Sequence, residues 1–400
     1  MTLLRNTSSD FGSPLSGRER EYLGTRAPAG VAPFLALWGE VEKTPLIPLP
    51  EVAARLGLGT VALKNEAFRL GQGSFKALGG AYAVMVLFKR LLEKHLGREV
   101  RVTQLLSPTA REFASTVTVC CATDGNHGKS VAAGARLLGC RSVIFIHAGV
   151  TQARAKGLGA DEVVRVDGNY DLSVSEAERV SAERGWLLVS DTSWEGYEEI
   201  PAIVGQGYTI LAQEALEQLH DRQFPLPTHV FLQAGVGGFA ASIAGYLRER
   251  LGREVTVVVV EPDRAACLHE SARAGELTSV PSIEPTIMAM LECFTPSLIA
   301  WRTLKKVADG FMTIREGDAE NAMRLLANRN VVAGESGAAG LAGLLVAGAD
   351  TTMKAALGLG PTSHVLLINT ETATDPASFK AIVGMDPALI ERPDEVASSA

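Results

Sequence analysis

Four stretches of the chain combine residue types that could do chemistry. The run from Lys64 to Ala81, KNEAFRLGQGSFKALGGA, is a Gly/Ser-rich loop leading out of an apolar strand into a helix, with Lys76 in the first helical turn. Cations are disfavoured at the positive end of a helix, so an exposed lysine would be better placed elsewhere. Held against a ligand, with its pKa lowered by burial and the helix end, such an amine becomes a nucleophile towards an aldehyde. On position alone, a solvated lysine remains the plainer alternative. The second stretch, TVTVCCATDGNHGKSVAAGARLLG, brings Asp124, Asn126 and His127 together where a buried strand meets a helix. Open α/β sheets place ligands there, although Asp124 or Asn126 could simply cap the helix. The third is Gly235-Val236-Gly237-Gly238 between the apolar run HVFLQA and a helix. Backbone N–H groups of such a turn and the helix end behind it form an anion site suited to phosphate. It also reads as GxGxxA, with Glu261 about 24 residues further on, as a dinucleotide-binding unit would have. The fourth, SDTSWEGY, carries Asp191 at a strand end, either facing the cleft or serving a turn. Glu335-Ser336-Gly337 before an apolar helix and the strand end Thr370-Glu371-Thr372 complete the set.

These residues need a scaffold, and the chain is built to supply one. Its 400 residues are 46% hydrophobic and 21% charged, which excludes disorder, and that length predicts two domains or one nested in another. From Val61 onward, apolar β-branched runs (VALK, TVTVCCA, SVIFIH, EVVRV, WLLVS, HVFLQA, VTVVVVE, VLLIN) alternate with helical patterns. Strands apolar on both faces and separated by helices predict an α/β fold of open, mostly parallel twisted sheets flanked by helices. Residues 1–44 read as an irregular arm with a short helix near Phe34 to Trp38, and the two prolines of EQLHDRQFPLPT suggest a crossing between domains.

A formal net charge of −7 makes nucleic acid a poor partner. The five cysteines show no CxxC pair or metal-ligand spacing, so no metal is expected and a reducing cytoplasm is. Neither a signal peptide nor an apolar membrane span is visible.

In this order, the Ser-Phe-Lys loop, Gly-Asn-His-Gly loop, glycine turn and hydroxyl-bearing terminal strand resemble pyridoxal-phosphate enzymes of fold type II, the tryptophan-synthase-β type. The resemblance spans about residues 40 to 380. Within that group the chain is similar to the diaminopropionate ammonia-lyases, whose motifs match Lys64 to Ala83, Thr123 to Gly128, Asp191 to Tyr197, Gln233 to Ala240, Val260 to Cys267, Thr286 to Cys293, Gly334 to Leu341 and Asn369 to Glu371. Asp124 discriminates, because serine and threonine dehydratases usually have Ser-Ser or Ser-Thr there.

The resemblance implies a large pyridoxal-phosphate domain from 1–85 plus 225–400 and a small one over 86–224. It implies Lys76 as the Schiff-base lysine and Asn126 as partner of the cofactor's phenolic oxygen. Gly235, Val236, Gly237 and Gly238 would form the phosphate cradle and Thr370 would face the pyridine nitrogen, with Phe75 and Glu335 completing the cofactor pocket. Asp124 and Asp191 would be the carboxylates near Cα. The activity implied is elimination of ammonia from D- or L-2,3-diaminopropionate, giving pyruvate, by a homodimer binding a small amino acid. A serine/threonine dehydratase or a β-replacement enzyme shares Lys76 and the glycine turn. A nicotinamide dehydrogenase would use Glu261 but leave Lys76 without a role, and a non-catalytic pyridoxal-phosphate-binding protein is the remaining class. In relatives, cysteines matching Cys267 and Cys293 can pair. The chain departs from the family at Met290 and Phe294, where glycine is usual, and at Thr372 and Ala373 after the terminal Thr-Glu.

Overall fold

The computed structural model describes residues 1–123 and 125–390, the side chain of Ala153 excepted. Among them are eleven strands: β1 Leu3–Arg5, β2 Leu46–Pro48, β3 Thr60–Asn65, β4 Thr118–Ala122, β5 Arg141–His147, β6 Glu162–Val166, β7 Leu187–Leu188, β8 His229–Gln233, β9 Thr256–Pro262, β10 Gly310–Ile314 and β11 His364–Asn369. They form a seven-stranded sheet in the order β1-β10-β9-β8-β11-β3-β2 and a four-stranded sheet in the order β6-β5-β4-β7. The small sheet is parallel throughout, and the large one is parallel apart from its two edge strands, β1 and β2. Composition explains the parallel core. Val257, Val258, Val259 and Val260 of β9 are all fully buried, as strands covered on both faces require. Burying each valine contributes on the order of 1.5–3 kcal/mol before the entropy of ordering it is counted.

Parallel pairing also fixes where the loops emerge. Asn369 of β11 lies opposite Asn65 of β3, and Gln233 of β8 opposite Val260 of β9. The C-terminal ends of these strands therefore share one edge, from which the Lys76 loop, the glycine turn and the Thr370 segment all leave. Ligands in open α/β sheets bind at that edge.

The N-terminal arm is more regular than its composition suggests. Leu3–Arg5 pairs antiparallel with β10, and helices Gly17–Leu23 and Ala27–Leu35 follow, leaving only a 3-10 turn at Ala36–Trp38. The first helix starts with a capping box in which Ser16 and Glu19 satisfy each other's backbone N–H. Lys76 likewise sits in a 3-10 turn, Phe75–Leu78, before the helix Gly80–Leu96 begins.

A buried charge cluster anchors the exit of β3. Lys64 Nζ donates to Glu214 Oε2 at 2.8 Å, Thr44 O at 2.7 Å and Gln218 Oε1 at 2.9 Å. Arg69 donates to both oxygens of Glu66, at 2.8 Å each, and to both of Glu214, at 2.9 and 2.6 Å. Two cations thus meet two carboxylates, with fork geometry on Arg69. Burial favours a neutral Glu66, but the Arg69 guanidinium outweighs it and holds the carboxyl below its ordinary value. The cluster ties the start of the Lys76 loop to helix Glu199–Asp221. Removing one partner strands the rest. Arg69→Met is expected to cost about 3–5 kcal/mol, measured as a fall in the unfolding midpoint of the full chain.

Candidate active site

The Lys76 loop is stitched to the end of β11. Phe75 N donates to Thr370 O at 3.0 Å, Thr372 N donates to Gly73 O at 2.9 Å, and Ser74 bridges Glu371 in antiparallel fashion. Lys76 Nζ is thereby carried over the strand ends, where it donates a short hydrogen bond to Asp191 Oδ2. Asp191 comes from the loop after β7 of the other sheet. That loop is braced by Ser193, whose hydroxyl meets Ser297 Oγ at 2.7 Å and accepts from Ile299 N at 2.9 Å. Burial alone would lower the pKa of Lys76, yet the Asp191 carboxylate raises it above the ordinary value. Burial would also raise Asp191, but the surrounding positive charge, His127 and Lys76, pulls it down to about 2. Burial keeps His127 itself below the usual imidazole value, which makes Lys76 the cation that matters.

His127 fixes its own tautomer. A carbonyl only accepts, so the 2.7 Å bond to Val189 O places the proton on Nε2. Its Nδ1, buried and without a partner among the described residues, faces Asp191 Oδ2 at 3.9 Å.

The glycine turn lies at the N-terminus of helix Gly238–Leu251. Among the described residues, the N–H groups of Gly235, Val236, Gly237 and Gly238 meet no protein acceptor, while Ser297 N holds Val236 O at 2.9 Å. Side chains would spoil this cradle. A Cβ on Gly235 would stand 2.9 Å from Cys293 Sγ, and Gly237 has φ +95° and packs against Leu268. Free amide donors at a helix N-terminus, beside a half-buried lysine, fit a cofactor that bears both a phosphate and an aldehyde.

Phe75, Lys76, Asn126, Asp191, Gly235, Val236, Gly237, Gly238 and Thr370 line one cavity. Asn126 Nδ2 donates to Glu371 Oε2 at 2.5 Å. Asp124 lies outside the described residues. Glu335 stands apart from the cavity lining: its carboxylate accepts from Ser378 Oγ at 2.5 Å, and Ser336 lines the site in its place. Met290 also lines it, over Gly125, whereas Phe294 is buried away from it. Glu261 is fully buried and accepts from Leu268 N at 2.8 Å and His269 N at 2.7 Å. A carboxylate spent on capping a helix cannot hold a ribose, so the dinucleotide reading of the glycine turn loses its second element. Cys267 carries a thiol directed at Gly235 O, 3.7 Å away, with no disulfide.

Gln233 was not legible as a site residue. Its Nε2 donates to Thr370 Oγ1 at 3.0 Å and to Ile368 O at 2.9 Å. With a lone pair of Thr370 occupied, the hydroxyl hydrogen is left to donate into the cavity. A buried amide closing an apolar strand was the available signal.

Residues 37–371 match the family model "Pyridoxal-phosphate dependent enzyme". The chain is 38% identical over 356 residues to the diaminopropionate ammonia-lyase of Salmonella typhimurium, covering 85% of this chain and 87% of that one. It is similar in structure to holo diaminopropionate ammonia lyase from Escherichia coli, with a TM-score of 0.84, 32% identity and 96% of each chain covered. The same enzyme in complex with an aminoacrylate-PLP azomethine reaction intermediate matches with a TM-score of 0.84 and 33% identity, again over 96% of each chain.

Two outcomes are expected. Gly235→Ala crowds Cys293 and the backbone of Leu291, and should weaken pyridoxal phosphate binding at least about tenfold, read by titration of cofactor absorbance. Burial, followed by the charge of Glu335, raises Glu371 to about 7. The folded form therefore keeps a proton that the unfolded chain releases, and this contribution to stability is present at low pH and lost as pH rises through about 7. Glu371→Gln should lose less stability than the native protein between pH about 5 and about 8, measured by denaturant unfolding.

Proposed function

The chain belongs to the pyridoxal-phosphate-dependent enzymes, and from that premise we propose that it eliminates ammonia from 2,3-diaminopropionate, D, L or both. Uptake of one water per turnover gives pyruvate and two molecules of ammonia. The reading rests on the Lys76–Asp191 pair facing the glycine cradle in one cavity. When bound, the cofactor supplies a conjugated electron sink for the Cα electron pair as the β-substituent leaves.

The chain's own residues divide the remaining work. Lys76 attaches the cofactor, the N–H groups of Gly235 to Gly238 hold its phosphate, and Phe75 packs beside it. Asn126, whose amide now donates to Glu371, would be the residue to hold the phenolic oxygen. Thr370 offers its hydroxyl hydrogen to the ring nitrogen while Gln233 occupies the oxygen's lone pair. A hydroxyl there does not force the nitrogen to be protonated, which suits β-elimination.

Asp191 serves the leaving group. An amine departs readily only as an ammonium, and a carboxylate facing the cavity favours that form of the β-amino group. The hydroxyl of serine gains nothing equivalent, so the charge selects a diamino acid. Asp124 and Asp191 together would accept Cα protons from the two enantiomers. Met290, where the family usually has glycine, lines the cavity over Gly125 and is the residue through which this chain's substrate could differ from that of its relatives. The reading extends to a homodimer of the cytoplasm, in keeping with cysteines that fit a reducing compartment; among the described residues no helix is long and apolar enough to cross a membrane.

Pyruvate assays with both enantiomers of 2,3-diaminopropionate, serine and threonine test the assignment. The diamino acid should be preferred by about 100-fold or more in kcat/KM, equal to about 2.7 kcal/mol. Asp191→Asn should reduce turnover about 100-fold, and Lys76→Ala should abolish it. Preference for serine would make the protein a dehydratase instead.

A further inference from the structure

Glu371 follows β11 of the seven-stranded sheet, yet its carboxyl is spent on a residue of the other sheet's layer. Asn126 opens helix Asn126–Leu138, which comes after β4 of the four-stranded sheet, and its Nδ2 donates to Glu371 Oε2 at 2.5 Å. Both side chains line the cavity. The seat of Glu371 is built independently of any ligand. Gly334 N donates to Glu371 O at 3.1 Å, and Ser74 pairs with the same residue in an antiparallel bridge. Gly334 also makes room for the carboxyl, since a Cβ there would stand 3.1 Å from Glu371 Oε1 and 3.3 Å from its Cγ. At 3% exposure, the side chain has little freedom to turn elsewhere.

Asn126 lacks such a seat of its own. The last torsion of an asparagine side chain is broad and roughly two-fold, so the amide alone does not choose which way its nitrogen faces. Glu371 makes that choice, because a carboxyl oxygen calls for the N–H side of the amide. Burial and the charge of Glu335 favour the neutral acid, while Asn126, Arg154 and the Ser336 hydroxyl favour the carboxylate. Either form keeps an oxygen that accepts, so the link to Asn126 does not depend on which is present. An amide nitrogen carries two hydrogens. Glu371 takes one, and among the described residues Nδ2 meets no second acceptor, which leaves the other for a ligand in the cavity.

We propose that Glu371 is a positioning residue for recognition of the cofactor's phenolic oxygen: it accepts one Nδ2 hydrogen of Asn126 and so presents the other to that oxygen. The amide is then ordered before the cofactor arrives, and binding is spared the cost of ordering it. The proposal rests on the assignment of Asn126 as the partner of the phenolic oxygen.

The test compares two ligands on the full chain stripped of cofactor: pyridoxal phosphate, and 3-deoxypyridoxal phosphate, which keeps the aldehyde and the phosphate but lacks the phenolic oxygen. Affinities are read by absorbance titration and calorimetry. Glu371→Ala should bind pyridoxal phosphate about tenfold more weakly, as loss of one hydrogen bond implies, while affinity for the deoxy analogue stays within about twofold of the native value. Glu371→Gln keeps an oxygen acceptor in the same place and should bind both ligands as the native protein does. In an Asn126→Ala background, adding Glu371→Ala should weaken pyridoxal phosphate binding no further, because the two residues act through one bond. Equal weakening towards both ligands in Glu371→Ala would overturn the proposal and mark a role in shaping the strand end. A Glu371→Gln protein as weak as Glu371→Ala would overturn it too, since charge rather than the bond to Asn126 would then carry the effect. If Asn126→Ala leaves the preference for pyridoxal phosphate over the analogue unchanged, the assignment of Asn126 falls, and the proposal with it.

Discussion

The Lys76–Asp191 ion pair is the constraint on which the site depends. The lysine leaves the seven-stranded sheet through the loop after β3, and the aspartate leaves the four-stranded sheet after β7. Either charge alone would be costly in so enclosed a place, where both side chains are largely withdrawn from solvent. Paired, each holds the other ionised, because the attraction outweighs desolvation only at contact distance. The structure accordingly braces both sides: the lysine loop is sewn to the end of β11, and the aspartate loop is pinned to Ser297.

Ser297 connects this pair to the glycine turn, since its N–H holds Val236 O while its hydroxyl holds Ser193. One residue therefore sets the distance between the glycine turn and the carboxylate. Gln233 does comparable work beneath the cavity, binding Thr370, Ile368 and the turn after Glu335 through a single amide nitrogen. In both cases a buried polar group with several partners fixes an orientation that apolar packing would leave loose.

Much of this was legible before any coordinates. The apolar runs named the central strands to within a residue or two, because strands buried on both faces have no polar alternation to confuse them. Strands β1, β2 and β10 of the large sheet were not legible. β1 has three residues and β10 begins with glycine, and both are strands only because a neighbour offers hydrogen-bonding groups in register. The N-terminal arm likewise takes its order from what it packs against. Glu335 and Glu261 show the same limit at the site. Their motifs placed them near the strand ends, and packing turned one towards Ser378 and made the other a helix cap.

The sequence by itself determined the α/β architecture, the lysine loop, the glycine turn and the acid at the end of the WLLVS strand, because each depends on local backbone geometry and residue type. Tertiary structure alone decided which of them meet. Lys76 and Asp191 are separated by more than a hundred residues, and Asn126 and Glu371 by more than two hundred. Side-chain direction and the partners that satisfy a buried polar atom arise from packing between distant segments, and no local pattern encodes them.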